Sequence, residues 1–393
     1  SAATFWRASE DRTEAFMDRT CSSFRRGCHD LRDSVIMHAM SDPAASRPLL
    51  AIETYCDDTA CAILAYDGTI LAEGVLSQND HAILGGVVPE IAARAHLDAL
   101  PALVQSVLDK ASLTLQDIDT FAGTTGPGLI GGLIVGSSYA KGLALALGRP
   151  FIAVNHIEGH VLTARLPSLK ADLQFPFLTM LVSGGHCQCI SVEQTGQYVR
   201  LGGPIDDAAG EAFDKVAKML GLGWPGGPAL EKLAQEGRAD AFALPRPLKG
   251  REGCDLSFSG LKTAVSRLIE PLGSGALPRQ FAADVAASFQ QAVADVMADR
   301  AEHALAMAPH TTALVVAGGV AANRTLRGAL ETVADRHGIP FIAPPLRLCT
   351  DNAVMIGWAA LERLHAGEHP NEIDVAARPR WPLAERHPAH SPS

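Results

Sequence analysis

Between residues 49 and 76 the chain alternates compact apolar runs with polar breaks: LLAIE, TYCDD, TACAILA, YDGT, ILAEGVL. Short apolar runs bounded by turn residues predict strand, loop, strand, turn, strand, so the fold opens as a β-meander. From Val88 to Ala111 the period changes. Apolar positions in PEIAARAHLDALPALVQSVLDKA recur at helical spacing, and IDTFAGTTG then returns to a strand that runs into a glycine loop. The order recurs further on. PFLTMLVSGGHCQCISV predicts strand, tight turn, strand, and TALVVAGGVAANRTLRGAL predicts strand, glycine turn, helix. Element order repeats while sequence does not, which predicts an α/β protein of two duplicated lobes with a ligand cleft between them.

A chain of 393 residues that is 47% hydrophobic with 36 glycines has the length for two such cores. The expected division is an N-terminal extension over 1–47, poorly ordered, a first lobe over 48–172, a second over 173–365 and a C-terminal tail over 366–393. The extension shows no sustained apolar periodicity and no signal-peptide core. Residues 121–140 carry no charge over a length that matches a membrane span. Six glycines and a proline crowd that run, so the expectation is a glycine loop leading into a buried helix and no membrane segment.

The net charge of −10 argues against a surface coated with cations for non-specific nucleic-acid binding, while leaving room for a local basic groove. Eight cysteines at 21, 28, 56, 61, 187, 189, 254 and 349 form no CxxC pair, which fits reduced thiols in the cytoplasm.

NHIEGH, residues 155–160, sets His156 and His160 four apart. On a helix turning about 100° per residue, the two imidazoles lie roughly 40° apart and can reach one ion. Glu158 falls roughly 200° away from the first histidine. A zinc protease of the HExxH type carries its general base immediately after the first histidine, where this chain has Ile157. Two histidines need a carboxylate to complete a site, and TDNAVMI offers Asp351 near a strand-to-helix junction, where its plainer use is to cap the following helix. Two histidines and a carboxylate with open positions suit one divalent ion, iron(II) or zinc(II).

Four glycine turns stand apart from this pair: 124–132, 181–186, 224–230 and 317–323. Glycine lets backbone N–H groups approach a phosphate or ribose, and tight turns or close packing call for it equally. None reads GxxxxGK[ST] or a strand-linked GxGxxG, which disfavours P-loop and Rossmann chemistry. IDDAAGEAFDK gathers Asp206, Asp207, Glu211 and Asp214 near a helix. They form either a solvated acidic face or an acceptor such as Asp214 for ribose hydroxyls or a base amine.

Taken in order, IETYCDDT, GGVVPEIAARAH, TTGPGLIGGLIVG, NHIEGH, LVSGGH, IDDAAGEAFDK, PGGP, LSFSGLKT, AGGVAANRTLR, TDNAVMI and RPRWPL resemble the TsaD family over about Leu49 to Pro388. The resemblance implies a two-lobed fold of the actin, hexokinase and heat-shock-protein ATPase class with RNase H-like lobes. It implies an acyltransferase that moves a threonylcarbamoyl group from threonylcarbamoyl-AMP to N6 of the adenosine 3′ of the anticodon, in tRNAs reading A-starting codons. The family's metal ligands fall on His156, His160 and Asp351. Its adenylate-binding positions fall on Leu181, Val182, Ser183, Gly184, Gly185, Asp214, Gly227 and Asn323. Relatives work with a TsaB-like paralogue and a TsaE-like ATPase. The resemblance assigns no general base.

The chain departs from the family's usual IETSCDET at Tyr55 and Asp58, and carries Cys187 where a threonine is usual. Two other classes use a nucleotide cleft between such lobes. A small-molecule kinase would call for a catalytic aspartate and Mg²⁺. A non-enzymatic scaffold would have no use for an open metal position.

Overall fold

The structure, a computed structural model, describes residues 48–78, 87–223, 225–273 and 275–383. The expected extension over 1–47 and the end of the expected tail, 384–393, lie outside the described residues.

Strands β1 (Leu49–Glu53), β2 (Asp58–Leu64), β3 (Ile70–Ser77), β4 (Thr120–Gly126) and β5 (Phe151–Asn155) form one sheet in the order β3-β2-β1-β4-β5. Strands β6 (Phe177–Val182), β7 (Cys187–Gln194), β8 (Gln197–Gly202), β9 (Leu314–Ala317) and β10 (Phe341–Ile342) form a second in the order β10-β9-β6-β7-β8. Each sheet is an antiparallel meander of three strands whose first strand also pairs in parallel with the fourth, and the fourth with the fifth. The duplicated lobes are therefore topological copies.

Helices α1 (Pro89–Ala111), α2 (Ile130–Leu147) and α3 (His156–Leu162) follow strands of the first sheet. Helices α4 (Ala209–Met219), α5 (Gly226–Ala234), α6 (Ser259–Ile269), α7 (Arg279–Met307) and α8 (Arg324–His337) accompany the second, and α9 (Leu346–Cys349) and α10 (Ala353–His365) come last. Period two along β1 divides its neighbours cleanly. Leu50 and Ile52 pack with Leu100 and Val104 of α1, while Leu49 and Ala51 pack with Val354 and Trp358 of α10.

That last contact departs from the expected division. The expected division puts residues 353–365 with the second lobe, yet α10 covers a face of the first sheet, where it packs on Leu49, Ala51 and Leu64. The stretch after it also lies along the first lobe: Asn371 pairs with Phe151, Lys141 donates to the Val375 carbonyl, and Gly128 N–H donates to Pro379 O.

Helix α1 starts with Pro89 in its first turn and ends at Ser112 in the left-handed region. Its apolar spacing matches the expected period, with Leu100, Leu103, Val104, Val107 and Leu108 buried. The glycine loop ahead of α2 is present, but α2 is not a buried helix. Gly132, Leu133, Gly136 and Ala140 face the lobe, whereas Ile134 and Leu145 are about half exposed. By length and composition, α2 is apolar enough to cross a membrane, and among the described residues it is the one helix that is.

Candidate metal centre and adjoining cavity

β5 ends at Asn155, whose side chain accepts the Ile157 N–H at 2.9 Å and so caps α3. Asn155 Nδ2 in turn donates to Trp381 O, which ties this cap to the C-terminal stretch. His156 therefore occupies the first position of α3 and His160 the fifth, and both are buried. Ile157 and Val161 pack on the second sheet with Phe177 and Leu181. Gly159 faces α10, where an added Cβ would stand 3.0 Å from Ile356 Cδ1 and 3.1 Å from Met355 Cγ. The lack of a side chain there lets α10 approach α3 closely, and Asp351 arrives with it.

His160 Nε2 lies 3.0 Å and His156 Nε2 3.5 Å from Asp351 Oδ1. With bonds of about 2.1 Å to nitrogen and oxygen, a tetrahedral ion separates its ligands by about 3.4 Å. One ligand atom from each of the three residues lies within 4.8 Å of the others. The donor set and its spacing fit a divalent ion.

Asp351 does not cap α10. Asn352 does, accepting the Met355 N–H at 3.0 Å, and α9 rather than a strand precedes the junction. The carboxylate is thereby left for the histidines. Glu158, as its place on the helix predicted, turns elsewhere: it accepts the Tyr198 hydroxyl at 2.7 Å.

Glu53 and Thr124 complete the corner, and the spacing argument had not found them. Glu53 is fully buried at the end of β1; its Oε2 meets His156 Nδ1 at 3.0 Å and accepts the Thr124 hydroxyl at 2.7 Å. A carboxylate behind the far ring nitrogen fixes the tautomer that turns Nε2 toward Asp351. Burial alone would lower His156, but the charges of Asp351 and Glu53 outweigh it and raise its pKa. For His160 burial prevails over the Asp351 hydrogen bond and the pKa falls. Burial works to raise Asp351, yet the two histidines hold it down at about 2.

Tyr55 stacks on His156, ring centroids 3.8 Å apart and planes inclined by 16°. The phenol that departs from the family pattern is thus a wall of the histidine corner; Gly128 makes room for it, since a Cβ at that glycine would lie 2.5 Å from the ring. His186 stands 5.9 Å from the His156 ring, its pKa pushed down to about 3 by burial and by the neighbouring imidazoles. Its signal lay in the SGGH turn, which spacing alone reads as a turn.

Asp351 and Tyr55 line a cavity of about 670 Å³ together with Ser183, Gly184, Gly185 and Asp214. Lys215 and Lys218 also face it. The Ser183–His186 turn is closed from within: Ser183 N–H donates to His186 O at 2.7 Å, and His186 N–H to Ser183 Oγ at 3.0 Å. Asp214 accepts the Gly226 N–H at 2.9 Å, and burial raises its pKa despite backbone bonds from Gly226 and Gly227.

The other expected positions sit differently. Leu181 and Val182 are strand residues with side chains buried in separate cores, so only their backbone is near the turn. Gly226, rather than Gly227, lines the cavity. The Asn323 side chain is engaged in structure: it accepts N–H groups of Thr325 and Leu326 at the start of α8 and donates to Gln290. The acidic cluster divides as well. Asp206 holds the 257–259 turn and Asp207 and Glu211 pair with Lys215, which leaves Asp214 to the cavity.

A family model described as TsaD, tRNA N6-adenosine threonylcarbamoyltransferase, matches residues 69–358. A protein of Gluconobacter oxydans (strain 621H) named tRNA N6-adenosine threonylcarbamoyltransferase is 84% identical over 355 residues, 89% of this chain and 97% of that one. A protein of the same name from Granulibacter bethesdensis (strain ATCC BAA-1260 / CGDNIH1) is 62% identical over 346 residues, 86% of this chain and 93% of that one. Among solved structures, HypF of T. kodakarensis superposes with a TM-score of 0.54 at 15% identity, covering 82% of this chain and 48% of that one. Full-length HypF in a phosphate- and nucleotide-bound form gives 0.52 at 13% identity, over 81% and 46%. At such identities the likeness concerns the fold, and it agrees with the α/β two-lobed actin- and hexokinase-like class.

Proposed function

The chain belongs to the tRNA N6-adenosine threonylcarbamoyltransferase family, and from that premise we propose how its residues carry out threonylcarbamoyladenosine formation on tRNA. The observation that carries the reading is that His156, His160 and Asp351 meet at a wall of the same cavity that Ser183, Gly184, Gly185 and Asp214 line.

The donor is threonylcarbamoyl-AMP, a mixed anhydride whose AMP is already a good leaving group. The protein's work is to position it and to stabilise developing charge. Gly184 and Gly185 leave open backbone where the adenylate approaches, and an added Cβ at Gly184 meets nothing within 4 Å. Asp214, held by the Gly226 N–H, lines the cavity as an acceptor for a ribose hydroxyl or the base amine. His156, His160 and Asp351 would hold one divalent ion, which supplies Lewis-acid polarisation of a donor carbonyl when bound. Two imidazoles and one carboxylate favour iron(II) over zinc(II). Glu53 orients His156, and the stacked Tyr55 shields that imidazole from water. The N6 amine of the target adenosine attacks the carbamoyl carbon, and AMP leaves with the anhydride electron pair.

A TsaB-like paralogue and a TsaE-like ATPase are the proposed partners and the cytoplasm the proposed site of action. A kinase reading is disfavoured by the donor set, since paired imidazoles suit a borderline ion better than Mg²⁺. The test is incubation of the purified protein with threonylcarbamoyl-AMP and unmodified tRNA, followed by nucleoside mass spectrometry. Threonylcarbamoyladenosine is the expected product; unaltered adenosine with metal, donor and partners all present would sink the proposal.

A further inference from the structure

A second cavity of about 520 Å³ lies beyond the turns that flank the first. Arg324 and Arg327 line it from the start of α8, and Leu169, Ile342, Pro344 and Pro345 supply apolar walls. Among the described residues no carboxylate lines it, although the whole chain carries a net charge of −10. The exposed Lys170 sits in the chain between two further lining residues, Leu169 and Ala171.

The two cavities share their partition. Gly319 lines the first and Ala322 the second, at opposite ends of one 3-10 turn; Leu346 lines the second and Thr350 and Asp351 the first, at opposite ends of α9. Each of those turns spans only about 6 Å. A cationic and apolar seat therefore lies one short turn away from Asp351, within reach of an extended ligand that enters the first cavity.

The helix start itself is not the attraction. Asn323 and Glu231 already take the N–H groups of Arg324, Thr325 and Leu326. What remains is side-chain chemistry: Arg324 is exposed, and Arg327, half-buried, is anchored by Nε on Ala321 O. Guanidinium forks match phosphate oxygens, and proline and isoleucine faces accept a ribose or base edge.

We propose that this cavity seats the tRNA strand adjoining the target adenosine, Arg324 and Arg327 holding backbone phosphates while the apolar wall receives a neighbouring nucleoside. The proposal rests on the tRNA-modifying reading above. It gives an acidic chain with few aromatic residues a local means of holding RNA by charge.

The test is fluorescence-anisotropy titration of unmodified tRNA against wild-type, Arg324→Ala, Arg324→Glu and Lys249→Ala proteins over a range of salt. Lys249 is an exposed cation on a loop of the second lobe that does not line the cavity. Arg324→Ala is expected to weaken binding several-fold and make the log–log salt slope shallower by about one, with Arg324→Glu weaker still. Metal content and thermal midpoint should stay at wild-type values. Arg324→Glu binding like Lys249→Ala in both affinity and slope would overturn the inference alone. Absence of tRNA binding by the wild-type protein with its partners would overturn the reading beneath it.

Discussion

The two lobes line the cavity with connections of equal length and opposite character. Residues 54–57, Thr-Tyr-Cys-Asp, join β1 to β2, and residues 183–186, Ser-Gly-Gly-His, join β6 to β7. Both lead away from the first strand of a sheet with the same topology, and both reach the same cavity. The first connection fills its space: Tyr55 lies flat on His156. The second empties it, offering backbone and open volume at Gly184. One architecture occurs twice, and unlike side chains in matching connections set a stacked imidazole on one side of the cavity and open backbone on the other, to which the proposed function gives the ion and the nucleotide respectively. Tyr55 and Gly184 are the residues in which that asymmetry is concentrated.

Removing the ion side altogether should have the largest effect. His160→Ala is expected to lower transfer by more than about 100-fold and to strip bound metal, measured by nucleoside mass spectrometry and elemental analysis. Full transfer by metal-free His160→Ala protein would break the division of labour between the two connections.

Glu53→Gln tests the same side one bond further out. The amide still contacts His156 Nδ1 but loses its charge, and metal affinity should fall by about 10- to 100-fold. The pH dependence sharpens this. A proton on His156 Nε2 competes with metal, and the raised pKa means that affinity in the wild type declines on acidification from above the ordinary histidine range. In metal-free protein the sign for stability is the reverse. A histidine whose folded pKa is raised stabilises the fold below its unfolded value and ceases to as pH rises through the folded one, so chelation should lower the melting temperature more at alkaline than at mildly acidic pH. Equal melting shifts across that range would show that His156 is not the proton's seat.

The smallest effect belongs to the nucleotide side. Gly184→Ala adds a methyl where nothing stands within 4 Å, so the melting temperature should be unchanged while donor binding weakens by about tenfold. Calorimetry with AMP as the probe measures it. Gly318 provides the contrast, because its φ of +91° and a Cβ that would lie 2.4 Å from Val182 O make the same change there a stability defect.

What was legible in advance follows from how local each signal is. His156 and His160 could be paired from the sequence because four residues on one helix face decide it, and the β-meanders could be read from period-two runs with turn residues between them. Glu53 could not be matched to His156, since that contact needs β1 and β5 to be placed across β4 in one sheet. The resemblance gives Asn323 to the adenylate, and in the fold its side chain caps α8, two uses of an asparagine that a sequence does not separate. The place of α10 was hidden for a topological reason. Its apolar stripe announces a helix with a buried face, but nothing along the chain says which sheet it covers, and it returns past the whole second lobe to the first.

That return sets an order of assembly. The face of the first sheet bearing Leu49, Ala51 and Leu64 has only Leu162 and Leu166 over it until residues near 360 have emerged from the ribosome, and His160 waits across 191 positions for Asp351. The earliest-made lobe is thus the last to be finished, a long-range closure of the slow kind that also brings the two histidines and Asp351 together only at the end.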